Sequence, residues 1–132
     1  MKLKTLSILL LTFFAGSFIT ITAAEISAAD KQYLGTYEKV RAALAADDLA
    51  GAKKAAADLG QNAIAITNSK SLADARNGFA QASDKAAKLA AGQPGYFVIH
   101  CPMANKDWVQ TSDKPNNPYL GKEMPTCGEV KK

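Results

Sequence analysis

The sequence predicts a mainly α protein: an antiparallel three-helix, up-down-up bundle followed by a short C-terminal segment rich in β and turn residues. Three observations carry this expectation. Residues 25–92 hold 21 Ala and no Pro, Cys, Met, His or Trp. The same stretch repeats apolar residues at helical spacing three times over. Residues 93–132 hold all five Pro, both Cys, the only Trp and the only His, so the composition changes abruptly near Gly92.

The chain opens on a short positive region, Lys2 and Lys4, followed by a mostly apolar run from Leu6 to Ile21. Thr22-Ala23-Ala24 then places small residues at the positions that a signal peptidase reads. The apolar run is 16 residues long and is interrupted by Ser7, Thr12, Gly16, Ser17 and Thr20. A membrane-spanning helix wants about 20 predominantly apolar residues. Residues 1–24 therefore read as a cleavable signal peptide, cut after Ala24, with a second possible cut after Ala29. No Cys lies near either cut to accept a lipid, and the expected location is the periplasm. Removing Lys2 and Lys4 leaves 14 basic against 12 acidic side chains, a net charge of +2. Charge so close to balance gives no electrostatic case for nucleic acid, or for a membrane once the leader is gone. The remaining 108 residues suit one domain, 25–132, with the bundle in 25–92 and the second segment, 93–132, packed on it.

In the first helix Tyr33, Tyr37, Val40 and Leu44 recur at steps of four, three and four. In the second, Leu49, Ala52, Ala56, Leu59, Ala63 and Ile66 alternate steps of three and four. Leu72, Ala75, Phe79, Ala82, Ala86 and Leu89 do the same in the third. Each set forms one face of an amphipathic helix. Asp47 or Asp48 can cap the second helix, Ser71 with Asp74 the third, and Gly92 with Pro94 ends it. Short connections favour antiparallel neighbours. Inner faces made of Ala allow close approach but bury little area, so the bundle alone is expected to be modestly stable. Tyr33 and Tyr37 read as core, and Lys53-Lys54 as a solvated face.

Past Gly92, Tyr96-Phe97-Val98-Ile99-His100-Cys101 is a β-type run, and Trp108-Val109-Gln110-Thr111 a second short strand. Trp108 is expected to cover the junction with the helices. Asn117-Pro118-Tyr119 with Gly121 reads as a turn that holds the residues around Met124.

The chemistry lies in sulfur. After the leader, the sulfur residues are Cys101, Met103, Met124 and Cys127, arranged as Cys-Pro-Met and Met-Pro-Thr-Cys. Thiolates and thioethers are soft ligands that select Cu(I) over harder ions. If residues 99–103 stay extended, Cys101 and Met103 point to one face. The residue types leave a second reading open. An exported protein meets an oxidising compartment, and Cys101 and Cys127 are the only two thiols, so they can form a disulfide that excludes Cu(I), with the Met as gap-fillers. Zinc sites prefer Cys, His and carboxylate, and this chain has one His and no tight CxxC. His100 and Cys101 are adjacent and face opposite sides of a strand, which argues against a Cys-His catalytic pair. No CxxCH haem motif, Gly-rich phosphate loop or Ser-His-Asp set is present, so the chain is not expected to be an enzyme.

One resemblance joins these features. Phe97-Val98-Ile99-His100-Cys101-Pro102-Met103-Ala104, Trp108-Val109-Gln110, Asn117-Pro118-Tyr119-Leu120-Gly121 and Met124-Pro125-Thr126-Cys127-Gly128-Glu129-Val130 follow one another in order. Together they resemble a bacterial domain of uncharacterised function. That domain occurs alone behind a signal peptide or fused to periplasmic adaptor subunits of heavy-metal efflux systems. Ala46-Asp47-Asp48-Leu49, Phe79 and Ser83-Asp84 extend the similarity into the helical half. The chain departs from the pattern at Pro115, where an apolar residue usually precedes Asn-Pro-Tyr, and at Pro125, usually Leu. The resemblance implies a copper- or heavy-metal-associated periplasmic role, with Cys101, Met103, Met124 and Cys127 as ligands. It also implies an efflux adaptor, or another copper-handling protein, as partner. The other class of function left standing is a disulfide-tied interaction module of the envelope that binds no ion.

Overall fold

The computed structural model describes residues 25–132. The leader expected at residues 1–24, with its cut after Ala24, lies outside the described residues. Among those described, no helix is long and apolar enough to cross a membrane.

Helix α1 (Ala28–Ala45) starts where Ser27 Oγ accepts the Asp30 amide. It buries Leu34, Tyr37, Val40 and Leu44. Asp47 then takes a left-handed turn, and Asp48 caps α2 (Leu49–Ala56) by accepting the Gly51 amide at 2.8 Å. Helix α4 (Leu72–Ala90) is capped by Ser71, which accepts the Asp74 amide. Between α2 and α4 the chain runs through a 3₁₀ stretch, Ala57–Ala63, and the four-residue α3 (Ile64–Thr67).

That middle region corrects the expected second helix. Gly60 sits at φ 64°, ψ −140°, a conformation open essentially to glycine alone, and it breaks the helix in two. The expected face is nevertheless the buried one: Ala52, Ala56, Leu59, Ala63 and Ile66 all lie in the core. Lys53 also departs from expectation. Its ammonium donates to the Ser69 carbonyl at 2.8 Å instead of standing free on a solvated face.

The three-helix bundle with an appended tail is corrected a second time by the sheet. Strands β1 (Phe97–Cys101), β2 (Lys106–Gln110) and β3 (Glu129–Val130) form an antiparallel sheet in the order β2-β1-β3. Cys101 pairs with Lys106 and Ile99 with Trp108 across the hairpin, and His100 pairs with Glu129. Ile99, Cys101, Trp108 and Val109 belong to the same core cluster as Leu34, Tyr37, Phe79 and the helix alanines. The architecture is therefore α+β with a shared core. The reason is size. Alanine faces leave little to bury, and aromatic rings from both halves supply the bulk. Tyr37 stacks on Phe79 with centroids 5.0 Å apart, Phe79 meets Tyr119 at 5.7 Å, and Tyr119 meets Trp108 edge-on at 6.3 Å.

Polar groups inside this core are matched. The Val109 amide donates to the Tyr37 hydroxyl, which is itself 2.8 Å from Ser83 Oγ. The Tyr119 hydroxyl donates to the Asp107 carbonyl and lies 3.2 Å from Ser83 Oγ. Burial pushes Tyr119 up to about 12 and Tyr37 higher still, so both stay as hydrogen-bonding phenols. Two arginines fasten the tail to the helices. Arg41 of α1, paired with Glu38, donates to the Asn116 carbonyl at 2.7 Å. Arg76 of α4 donates to the Pro118 carbonyl at 2.8 Å, to Leu44 and to the Asp47 carboxylate. Gly121 lies hard against the Asp47–Arg76 pair, and a Cβ there would sit 2.3 Å from the guanidinium.

Phe79→Ala is expected to cost on the order of 3–5 kcal/mol in denaturant unfolding, because it empties the centre of the ring stack. A loss below about 1 kcal/mol would contradict that placement. Gly60→Ala meets open space but the wrong dihedrals, and is expected to lose roughly 1–3 kcal/mol in the same assay. An unchanged unfolding midpoint would mean that the break at Gly60 is not formed.

Candidate functional site

The structure brings Cys101 and Cys127 together and leaves the two methionines exposed to solvent. Cys101 ends β1 and is 0% exposed. The strand stops there because Pro102 has no N–H for the ladder and the chain reverses through a turn that closes on Asn105 at φ 48°. Residues 99–103 do not stay extended, so the condition for Cys101 and Met103 to share a strand face is not met. Met103 lies in the turn with 67% of its surface exposed, whereas Cys101 is buried.

The turn does something else for Cys101. Folding back, it aims the Ala104 amide at Cys101 Sγ, at 3.4 Å, and the Met103 amide donates to the same sulfur. The Met103 amide also reaches Cys127. Backbone N–H groups held this way stabilise charge on sulfur as a capping site does on oxygen.

Cys127 arrives from the other end of the tail. Its amide donates to the Met124 carbonyl at 3.2 Å, closing a turn over Pro125 and Thr126. Gly128 follows because there is no room for more: a Cβ would lie 2.7 Å from Ile99 Cγ2 and from the Trp108 ring. Cys127 is partly exposed, and both cysteines are free thiols. Met124 is 36% exposed. Neither methionine fills the core.

Asn117 joins the two cysteines. It is fully buried. Its Nδ2 donates to the Cys127 carbonyl at 2.8 Å, and the side chain also hydrogen-bonds Cys101. Its Oδ1 accepts the amides of Tyr119 and Leu120, and its own amide donates to the Pro125 carbonyl at 2.8 Å. The sequence marked Asn117 only as a turn residue. The Asx-turn signature of Asn-Pro at that position was the available clue.

The sulfurs are electrostatically unequal. Burial pushes the Cys101 thiol up, but hydrogen bonds from Cys127, from the Ala104 and Met103 amides and from Asn117 outweigh it, and Cys101 falls below the ordinary thiol value. Cys127 moves up, because its thiol donates to Cys101 Sγ and, in addition, is partly desolvated. Cys101 is thus the more acidic thiol of the two.

His100 faces the opposite side of the sheet, as the alternation of a strand requires. Its Nδ1 meets Asp107 Oδ1 at 2.6 Å, and Lys131 Nζ meets Asp107 Oδ2 at 2.6 Å. Asp107 is held below the usual carboxylate range: slight burial opposes the shift, and the Lys131 and His100 hydrogen bonds overcome it. His100, Asp107, Tyr119, Asp84 and Lys131 line a polar cavity of about 340 Å³, separate from the sulfur pair. Among the described residues, no three His, Cys, Asp or Glu side chains are grouped to hold a metal ion.

Compared with protein-family models, curated proteins and solved structures, the chain matches none of them.

Asn117→Ala is expected to destabilise the fold by about 2 kcal/mol or more, since it leaves two amides and a carbonyl without partners. It should also speed alkylation of both thiols in the native protein. Unchanged stability together with unchanged thiol reactivity would show that Asn117 does not hold the cysteines.

Proposed function

We infer that this chain is an exported periplasmic protein that binds a soft metal ion, Cu(I), through Cys101 and Cys127, with Met103 and Met124 as thioether partners. It acts as a carrier, buffer or resistance accessory alongside heavy-metal efflux, and not as a catalyst. The observation that carries this reading is that the β1–β3 pairing draws the ends bearing Cys101 and Cys127 together, with the Ala104 amide on Cys101 Sγ and Asn117 Nδ2 on the Cys127 carbonyl. Two thiolates are soft, anionic ligands that suit Cu(I), and the N–H donors around Cys101 offset the charge that accumulates when the protons leave. Exposed thioethers at Met103 and Met124 offer the ion further soft ligands at the surface. The export reading favours a cut after Ala24. That cut keeps Ser27, the N-cap of α1, whereas a cut after Ala29 removes it. The motif resemblance makes an efflux adaptor or another copper-handling protein the natural partner.

The reduced protein should take up about one Cu(I) per chain in competition with a chromogenic chelator, and prefer it to Zn²⁺. Cys101→Ser with Cys127→Ser should abolish uptake. Met103→Leu with Met124→Leu should weaken it while leaving the helical circular dichroism unchanged. Full Cu(I) affinity without the two cysteines would overturn the site. Unchanged affinity in the Met variant would remove the thioethers from it. Loss of all specific uptake in the reduced wild-type protein would leave the disulfide-tied interaction module in its place.

A further inference from the structure

Cys101 and Cys127 differ in access as well as in hydrogen bonding. Cys101 is fully buried beneath the 102–105 turn, while Cys127 is partly exposed. The antiparallel register of β1 with β3, Ile99 against Val130 and His100 against Glu129, carries the end of β1 toward Cys127, and each thiol acts on the other's acidity. The donors around Cys101 Sγ belong to the turn and to Asn117, and Asn117 is itself held by the Cys127 carbonyl and the Tyr119 and Leu120 amides.

We propose that Cys101 and Cys127 form a thiol–disulfide exchange couple that a partner dithiol opens at Cys127, with Cys101 as the sulfur that leaves and returns. In the opening direction a partner thiolate attacks Cys127 Sγ. The Cys101–Cys127 bond breaks, and its electron pair goes to Cys101 Sγ, where the Met103 and Ala104 amides and Asn117 receive it. The partner's second thiolate then attacks the mixed disulfide, forms the partner's own disulfide and releases Cys127, which takes a proton from solvent. Two electrons pass from the partner dithiol to the cysteine pair. The closing direction runs the same steps backwards against a partner disulfide. Attack in the other sense, on Cys101 Sγ, is blocked by burial. A leaving sulfur that lands among preset donors makes the bond easier to open than a purely structural disulfide. The inference concerns the same two sulfurs as the copper reading but needs no metal, so the two can fail separately.

The test uses the purified full protein, stripped of metal with a chelator. Diamide closes the disulfide, glutathione opens it, and acid quenching followed by peptide mass spectrometry locates the adduct. The expected result is a single Cys101–Cys127 disulfide and a glutathione adduct on Cys127 in about tenfold or greater excess over Cys101, as access dictates. Cys101→Ser should trap a lasting adduct at Cys127. Cys127→Ser should leave Cys101 inert to oxidised glutathione in the native state, and if that variant does not fold, the wild-type map decides. Failure to form the intramolecular disulfide, or an adduct equal or greater on Cys101, overturns the proposal.

Discussion

The tail is organised around one buried amide. Asn117 lies between two residues whose carbonyls are gripped by arginines, Asn116 by Arg41 and Pro118 by Arg76. Both halves of its side chain are used, Oδ1 by two amides of the following turn and Nδ2 by the Cys127 carbonyl. Its backbone is used as well, donating to Pro125 and accepting from Gly121 at 3.0 Å. A buried polar group left without a partner costs about 1–3 kcal/mol, so such a network is stable when complete and unfavourable when partial. That asymmetry gives residues 116–128 one arrangement. It also fixes how Cys127 meets Cys101.

Much of the helical half was legible. Tyr37, Val40 and Leu44, Ala52, Ala56 and Ile66, and Ala75, Phe79 and Ala82 are buried as their spacing requires, and Asp48 and Ser71 cap the helices they precede. The break at Gly60 was not legible, because burial kept its helical period through the 3₁₀ stretch and periodicity alone cannot see a single reversed dihedral. Strand β3 was also missed. Two residues show no alternation, and only their register against Ile99 and His100 makes them a strand. The expectation of a bundle with a tail laid upon it failed on volume. With Ala along the inner faces, the helices have no sufficient core without Trp108 and Tyr119, so the sheet is part of the core from the start.

At the site, residue types pointed to sulfur, but the geometry lay in the backbone. Cys101, Met103, Met124 and Cys127 were visible as a set. What could not be read was that Met103 and Ala104 contribute amides. An N–H donor is present at nearly every position and carries no compositional signal. The turn that aims those donors follows from Pro102 and from Asn105 in the left-handed region, and the same turn sends the Met103 side chain outward. Of the alternatives open at the level of sequence, a core-filling role for the methionines does not agree with their exposure.

The sheet separates two chemistries that sequence places side by side. Cys101 faces the dry core, and His100, one residue earlier, faces the charged surface with Asp107 and Lys131. A wet, borderline-hard group is thereby kept away from a soft one, which fits a sulfur-only shell better than a mixed Cys-His shell. The two cysteines rest on a strand end paired across the hairpin and on a turn pressed by Gly128 against Ile99 and Trp108. The thioethers, by contrast, are exposed. On the proposed copper reading, a buried Cys101 and exposed methionines would let a partner's soft ligand approach from solvent without disturbing the core. The proposed redox couple would use the same division, with Cys127 the accessible sulfur and Cys101 the buried one. Either chemistry depends on the tail's packing, since the residues that close the core around Trp108 are the ones that bring the sulfurs together.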